Sequence, residues 1–132
     1  MDEHRYVLIV DDDARVLFVL NRALRVLENG YCIETAQNGQ EALEKAQAKF
    51  YDVVITDIVM PGMSGVELTE AIKDLHSNTE VVWITAHGCH RLQAEREQLG
   101  VYRCLEKPIR ITQIRQVVLD VLEHQEKQSR SE

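Results

Sequence analysis

The chain alternates two kinds of pattern. Short, wholly apolar runs rich in β-branched residues are separated by longer stretches in which apolar residues recur every three or four positions. The runs Tyr6-Val-Leu-Ile-Val10, Asp52-Val-Val-Ile-Thr-Asp57 and Glu80-Val-Val-Trp-Ile-Thr85 read as strands covered on both faces. Tyr31-Cys-Ile-Glu-Thr-Ala36 interleaves polar residues, as a strand nearer a sheet edge should. Val101-Tyr-Arg-Cys-Leu-Glu106 is the last strand, ended by Lys107-Pro108.

Between the runs lie five helical stretches. Ala14 to Asn29 carries Leu17, Leu20, Leu24 and Leu27 on one stripe, with Gly30 as terminator. Asn38 with Glu41 three residues later caps a second helix, which should turn Leu43, Ala46 and Phe50 inward. Ser64-Gly-Val-Glu67 is a capping box, opening a third helix with Leu68, Ile72 and Leu75 on its core face. His87 to Gly100 has the weakest apolar period, with Leu92 and Leu99 its only large aliphatics, and predicts a short, mobile helix. From Ile111 a fifth helix presents Ile114, Val118, Val121 and Leu122, and is expected to fray into a polar tail from His124 to Glu132.

Strand and helix in strict alternation with short connections imply an α/β fold: a doubly wound, five-stranded parallel sheet, (βα)5, with right-handed crossovers. The expected strand order is the flavodoxin-like 2-1-3-4-5, with the switch point between strands 1 and 3. Both of those strands end in aspartate. At 132 residues the chain is expected to form one domain over residues 1–123, followed by a polar tail or linker stub over 124–132.

A formal net charge of -7 disfavours direct contact with nucleic acid, which is held by clustered Lys and Arg. The acidic start Met1-Asp-Glu-His-Arg and the brevity of the apolar run after it fit neither a signal nor a membrane segment, so a cytoplasmic protein is expected. Cys32, Cys89 and Cys104 match neither a disulfide framework nor paired zinc ligands, and read as reduced thiols.

The expected topology brings Asp11, Asp12, Asp57, Thr85 and Lys107 to the carboxyl ends of neighbouring strands, where open α/β sheets bind ligands. Like charges about 4 Å apart repel by roughly 4 kcal/mol at an effective dielectric near 20, so these carboxylates need a cation. Mg2+, which takes carboxylate, carbonyl and water oxygens, suits them. Lys107 adds a compact positive charge and Thr85 a rotatable donor. A carboxylate beside a metal, an ammonium and a hydroxyl is arranged for phosphoryl transfer: Asp57, already ionised, attacks phosphorus in line and becomes an aspartyl phosphate.

With these residues in place, the sequence resembles the receiver domains of two-component response regulators over about residues 5 to 123. The family's acidic pair falls on Asp11 and Asp12, its phosphoacceptor on Asp57, its Pro-Gly loop on Met60-Pro-Gly-Met-Ser-Gly65, its switch hydroxyl on Thr85 and its Lys-Pro on Lys107-Pro108. The resemblance implies Mg2+ bound by Asp12, Asp57 and the carbonyl of Val59, with Asp11 acting through water, and a cis Lys107-Pro108 bond. It implies a sensor histidine kinase or phosphotransfer protein as donor, and a downstream effector or output domain as recipient through the helix 4, strand 5 and helix 5 face. A phosphorylation-dependent homodimer is a further expected assembly. The chain would not be an enzyme in the usual sense, since it would catalyse only its own phosphorylation and dephosphorylation.

One position departs from the family. Three residues before the lysine, where Tyr or Phe is usual, stands Cys104, with Tyr102 expected on the same strand face. Two other readings compete. A haloacid-dehalogenase-type phosphatase also forms an aspartyl phosphate, but on an Asp-x-Asp after strand 1 and beneath a substrate cap, for which the chain has no insertion. A degenerate receiver that only binds partners is opposed by the complete acid, hydroxyl and lysine set. His87, Cys89 and His90 lack the second cluster that a zinc site needs. His87 and Val59 stand two residues beyond Thr85 and Asp57, where family members differ in dephosphorylation rate.

Overall fold

The computed structural model describes residues 5–25, 31–86 and 88–130. Strands β1 (Arg5–Val10), β2 (Tyr31–Ala36), β3 (Val53–Asp57), β4 (Glu80–Thr85) and β5 (Arg103–Glu106) alternate with helices α1 (Ala14–Arg25), α2 (Gly39–Ala48), α3 (Gly65–Leu75), α4 (Gln93–Leu99) and α5 (Ile111–Arg130). Every strand pairing is parallel, and the order is β2-β1-β3-β4-β5. This is the flavodoxin-like topology that the alternation predicts. Among the described residues, no helix is long and apolar enough to cross a membrane.

The apolar runs are unbroken because both faces of the sheet are covered. Val7, Ile9, Val53, Ile55, Val82 and Ile84 point to the side closed by α1 and α5. Leu8, Val10, Val54, Val81 and Trp83 point to the side closed by α2 and α3. The α1 stripe buries Leu17, Leu20 and Leu24 as expected, while Leu27, Asn29 and Gly30 lie outside the described residues. Asn38 accepts from the Glu41 backbone at 2.8 Å, and the Ser64 capping box is complete. The sequence therefore starts α2 and α3 through the donors it supplies.

Four expectations of detail fail. Phe50 lies beyond the end of α2 and is 38% exposed, stacked edge-on against His76, because α2 stops at Ala48. Leu75 ends α3 at 42% exposure, since the last turn passes the edge of the core. Tyr102 does not share a face with Cys104. It precedes β5, packs on the α1/α5 side and meets the His124 ring, whereas Cys104 packs on the other side. Finally, α5 does not fray at His124 but continues to Arg130. Its polar residues have partners there: Gln125 donates to the Asp52 carbonyl at 2.9 Å, and Glu126 lies 3.5 Å from Arg5.

The Trp83 indole N–H donates to Thr69 Oγ1 at 2.8 Å, and that hydroxyl donates to the Gly65 carbonyl at 2.7 Å. Thr69→Val keeps the shape but leaves the indole N–H without its acceptor, so it is expected to lower stability by about 1–3 kcal/mol. Urea unfolding followed by the fluorescence of Trp83, the sole tryptophan, measures this.

On β2, Glu34 accepts from Tyr51 Oη at 2.7 Å and from the Lys49 ammonium. Burial pushes the Glu34 carboxyl up, but these two donors outweigh it and hold the group below its ordinary value. A depressed carboxyl contributes stability above its unfolded pKa and loses it as pH falls through the folded one. Glu34→Gln is therefore expected to cost about 1 kcal/mol near pH 7, with the difference from wild type shrinking below about pH 4. Unfolding curves at both pH values check the sign.

Candidate functional site

Asp57 is the last residue of β3 and is nearly buried at 6% exposure. The chain then turns sharply into α3: Gly65 N donates to the Ile58 carbonyl at 2.9 Å. A Cβ at residue 65 would stand 2.2 Å from the Asp57 carbonyl oxygen, so only glycine lets α3 begin this close to the strand end. Gly62, at φ +78°, supplies the left-handed residue of the same turn. Val59 N lies 3.3 Å from Asp57 Oδ1, which fixes one carboxylate oxygen and leaves the other turned to the sheet edge.

The three consecutive aspartates after β1 divide their work. Asp13 Oδ1 accepts from Arg15 N at 2.9 Å at the start of α1, and this backbone bond holds its carboxyl below the usual range. Asp11 Oδ1 accepts from Asp13 N at 2.9 Å, which points the fully buried Asp11 into the pocket beside Asp57. Asp12 between them is exposed. Carboxylate oxygens of Asp11, Asp12 and Asp57 lie within 4.8 Å of one another.

Lys107 arrives from the far edge of the sheet. Its backbone N–H donates to the Thr85 carbonyl at 2.8 Å, and its peptide bond to Pro108 is cis. Its Nζ lies 3.0 Å from Asp11 Oδ2 and 3.1 Å from Asp57 Oδ2. The contact to Asp57 is a directed hydrogen bond, whereas that to Asp11 is an ion pair only, which leaves buried Asp11 Oδ2 without a hydrogen-bond donor. Thr85 is buried at the end of β4, one residue past Ile84, the register partner of Asp57. The sheet thus brings Asp11, Asp12, Asp57 and Lys107 together, with Thr85 on the adjoining strand end and the Val59 backbone against Asp57.

One ammonium faces three carboxylates, and the balance shows in the ionisation of Asp11 and Lys107. Burial pushes the Asp11 carboxyl up, with Asp57 adding to the push, against the Asp13 backbone bond and the Lys107 charge. Burial pulls the Lys107 amine down, but Asp11 and Asp57 outweigh it and hold it above its ordinary value. A buried carboxylate oxygen without a donor, next to two further acid groups, is a site short of positive charge. Hard oxygen donors of this kind suit Mg2+, and the residues present fit that ion.

The cysteines depart from expectation. Cys89, in a 3-10 turn over Cys89–Leu92, is disulfide-bonded to Cys104 of β5, with Cα atoms 5.9 Å apart; Cys32 alone is a free thiol. The pair escaped the sequence because fifteen residues of chain separate it, and only the β4–β5 pairing folds one cysteine over the other. It also removes Cys89 as a zinc ligand. His87 lies outside the described residues.

Comparison with known proteins gives a consistent picture. The model of the response regulator receiver domain family matches residues 7–119. The DNA-binding transcriptional regulator NtrC of Escherichia coli (strain K12) is 36% identical over 122 residues, which are 92% of this chain and 26% of that protein. Sensor protein EvgS of the same strain is 33% identical over 109 residues, 83% of this chain and 9% of that protein. The chain therefore spans about a quarter or less of these relatives. Among solved structures, the CheY-like response regulator receiver domain protein from Methanospirillum hungatei JF-1 superposes with a TM-score of 0.88 at 26% identity, covering 95% of this chain and 98% of that one.

A carboxyl whose folded pKa is raised weakens the fold as pH climbs through that pKa, because ionisation is harder in the folded state. Asp11→Asn keeps the acceptor for Asp13 N and removes the charge. In metal-free buffer at pH 7 it is expected to raise stability on the order of 1 kcal/mol, with the gain vanishing in acid. Urea unfolding at the two pH values decides it.

Proposed function

The chain belongs to the response regulator receiver domain family, and from that premise we propose that it is a phosphoacceptor switch in which Asp57 carries the phosphoryl group. The observation that supports this most directly is the Lys107 ammonium, 3.0 Å from Asp11 and 3.1 Å from Asp57, beside an acid cluster 4.8 Å across. A magnesium ion held by Asp12, Asp57 and the carbonyl of Val59, with Asp11 acting through water, would supply the positive charge that phosphoryl oxygens require. Asp57 is the nucleophile: as its oxygen bonds phosphorus in line, the bond from phosphorus to the donor imidazole breaks, and its electron pair leaves with the imidazole. Lys107 holds the Asp57 carboxylate in position and takes up charge on a phosphoryl oxygen. Asp11, buried and fixed by Asp13, keeps the pocket anionic and cation-seeking.

Once modified, Asp57 carries roughly one to two additional negative charges and strong acceptor oxygens. In this reading the Thr85 hydroxyl donates to one of them, drawing the connection after β4 with it and altering the face formed by α4, β5 and α5. Cys104 occupies the position of the family's aromatic partner, so the signal runs through Thr85 and the backbone after it. The partners are a sensor histidine kinase or phosphotransfer protein upstream and an effector, an output domain or a second copy downstream. The chain turns over no separate substrate; its only chemistry is on Asp57.

Incubation with acetyl phosphate and Mg2+, followed by intact-mass spectrometry, is expected to show one added phosphoryl group on the wild type and none on Asp57→Asn or after chelation of the metal. Label persisting on Asp57→Asn would move the phosphoacceptor elsewhere. Thr85→Ala should still be labelled but lose the change at the α4, β5 and α5 face, as read by amide hydrogen exchange.

A further inference from the structure

The segment that follows Thr85 is weakly packed. Neither the 3-10 turn over Cys89–Leu92 nor α4 contains a buried residue, and their apolar hold on the sheet is the partly buried pair Leu92 and Leu99. Few buried apolar contacts mean low local stability, so such a segment opens at small cost. Cys89 begins it, and Cys104 stands on β5 in register with Trp83, three residues before Lys107. A bond between these two sulfurs ties the loosest part of the fold to the strand that carries the site lysine.

We propose that Cys89 and Cys104 form a reversible redox site, whose oxidation pins the 3-10 turn and α4 to β5 and whose reduction frees them. Three observations carry this. The two Cα atoms stand 5.9 Å apart, within the usual span of a disulfide, while β5 keeps its regular pairing with β4, so the fold accommodates the bond. Other contacts support the same approach: β5 is paired with β4, and Cys89 N donates to Glu106 Oε1 of β5 at 3.0 Å. Both cysteines are only partly buried, so an oxidant or a reducing thiol can reach them.

The chemistry is thiol–disulfide exchange with a low-molecular-weight disulfide. One cysteine thiolate attacks that disulfide and expels a thiolate, giving a mixed disulfide. The other cysteine then displaces the second small thiol. The protein loses two electrons and two protons, and the small disulfide gains them as two thiols. Two equivalents of the small thiol reverse the sequence. The bond closes a loop that contains the whole of α4, and so removes conformational freedom from its open state.

The signalling consequence rests on the phosphoacceptor reading, because it is the segment after Thr85 that must move there. The redox site itself does not. Native protein is equilibrated with oxidised glutathione or with dithiothreitol, then alkylated and mapped by mass spectrometry, and amide hydrogen exchange is measured over Cys89–Leu99. The expected result is that oxidation protects Cys89 and Cys104 but not Cys32 from alkylation and joins their peptides. Exchange over the segment should slow by about tenfold or more, and dithiothreitol should reverse both changes. In Cys104→Ser the two treatments should give the same exchange. Cysteines that stay alkylatable after oxidation would overturn the proposal, as would exchange that is indifferent to the bond, or an equal change in Cys104→Ser.

Acetyl phosphate and Mg2+ are then added to both redox forms. A response over the segment in the reduced form that is lost in the oxidised form supports the lock, and equal responses in labelled protein overturn it. If neither form gains a phosphoryl group, the Asp57 reading has failed, and the exchange comparison without acetyl phosphate still decides the redox site.

Discussion

The Lys107 ammonium, bridging two buried carboxylates at 3.0 and 3.1 Å, is the contact on which the sheet edge depends. It joins the ends of the paired strands β1 and β3 to that of β5, with β4 lying between β3 and β5 in the sheet. Without it, Asp11 and Asp57 would stand buried side by side with no compensating charge, a costly arrangement in a low-dielectric interior. With it, one ammonium still faces the carboxylates of Asp11, Asp12 and Asp57. An acid cluster of this composition suits a hard cation.

The two halves of the pocket differ in rigidity. On the β1 and β3 side, every approach is fixed by short-range structure: Asp13 orients Asp11, Gly65 lets α3 close on Asp57, and the Ser64 capping box anchors that helix. On the β4 and β5 side, the described chain after Thr85 is held by a pair of partly buried leucines, a bond from the Cys89 backbone N–H to the Glu106 carboxylate, and the Cys89–Cys104 link. Asp11 and Asp57 lie on the firm side, and Lys107 reaches them from the end of β5. The segment after Thr85 lies on the soft side, tied to β5 by the Cys89–Cys104 bond.

Most of this was legible in the sequence, for reasons that are local. Buried parallel strands must be apolar along their whole length, so Val7 to Val10, Val53 to Thr56 and Val81 to Ile84 announce themselves. Asn38 and Ser64 mark helix starts because they accept bonds within three residues of themselves. Once the alternation fixes the strand order, the aspartates after β1 and β3 can only meet at the switch point, and Lys107 can only enter from the end of β5. Residues at element ends read less well. Phe50 lies past the end of α2, Leu75 is the last residue of α3 and Tyr102 precedes the start of β5, and nothing local marks those boundaries.

Composition and periodicity thus determined the architecture and the membership of the acid cluster, because each depends on which residues lie next to which along the chain. Tertiary structure decided what depends on residues that are distant in sequence: the extension of α5 through Gln125 and Glu126 onto the start of β1 and β3, the ion-pair-only contact of Asp11 Oδ2, and the meeting of Cys89 with Cys104. A cysteine carries no mark of its partner. Whether two of them bond is settled by the few ångströms between their backbones, and that distance exists only once β5 has paired with β4.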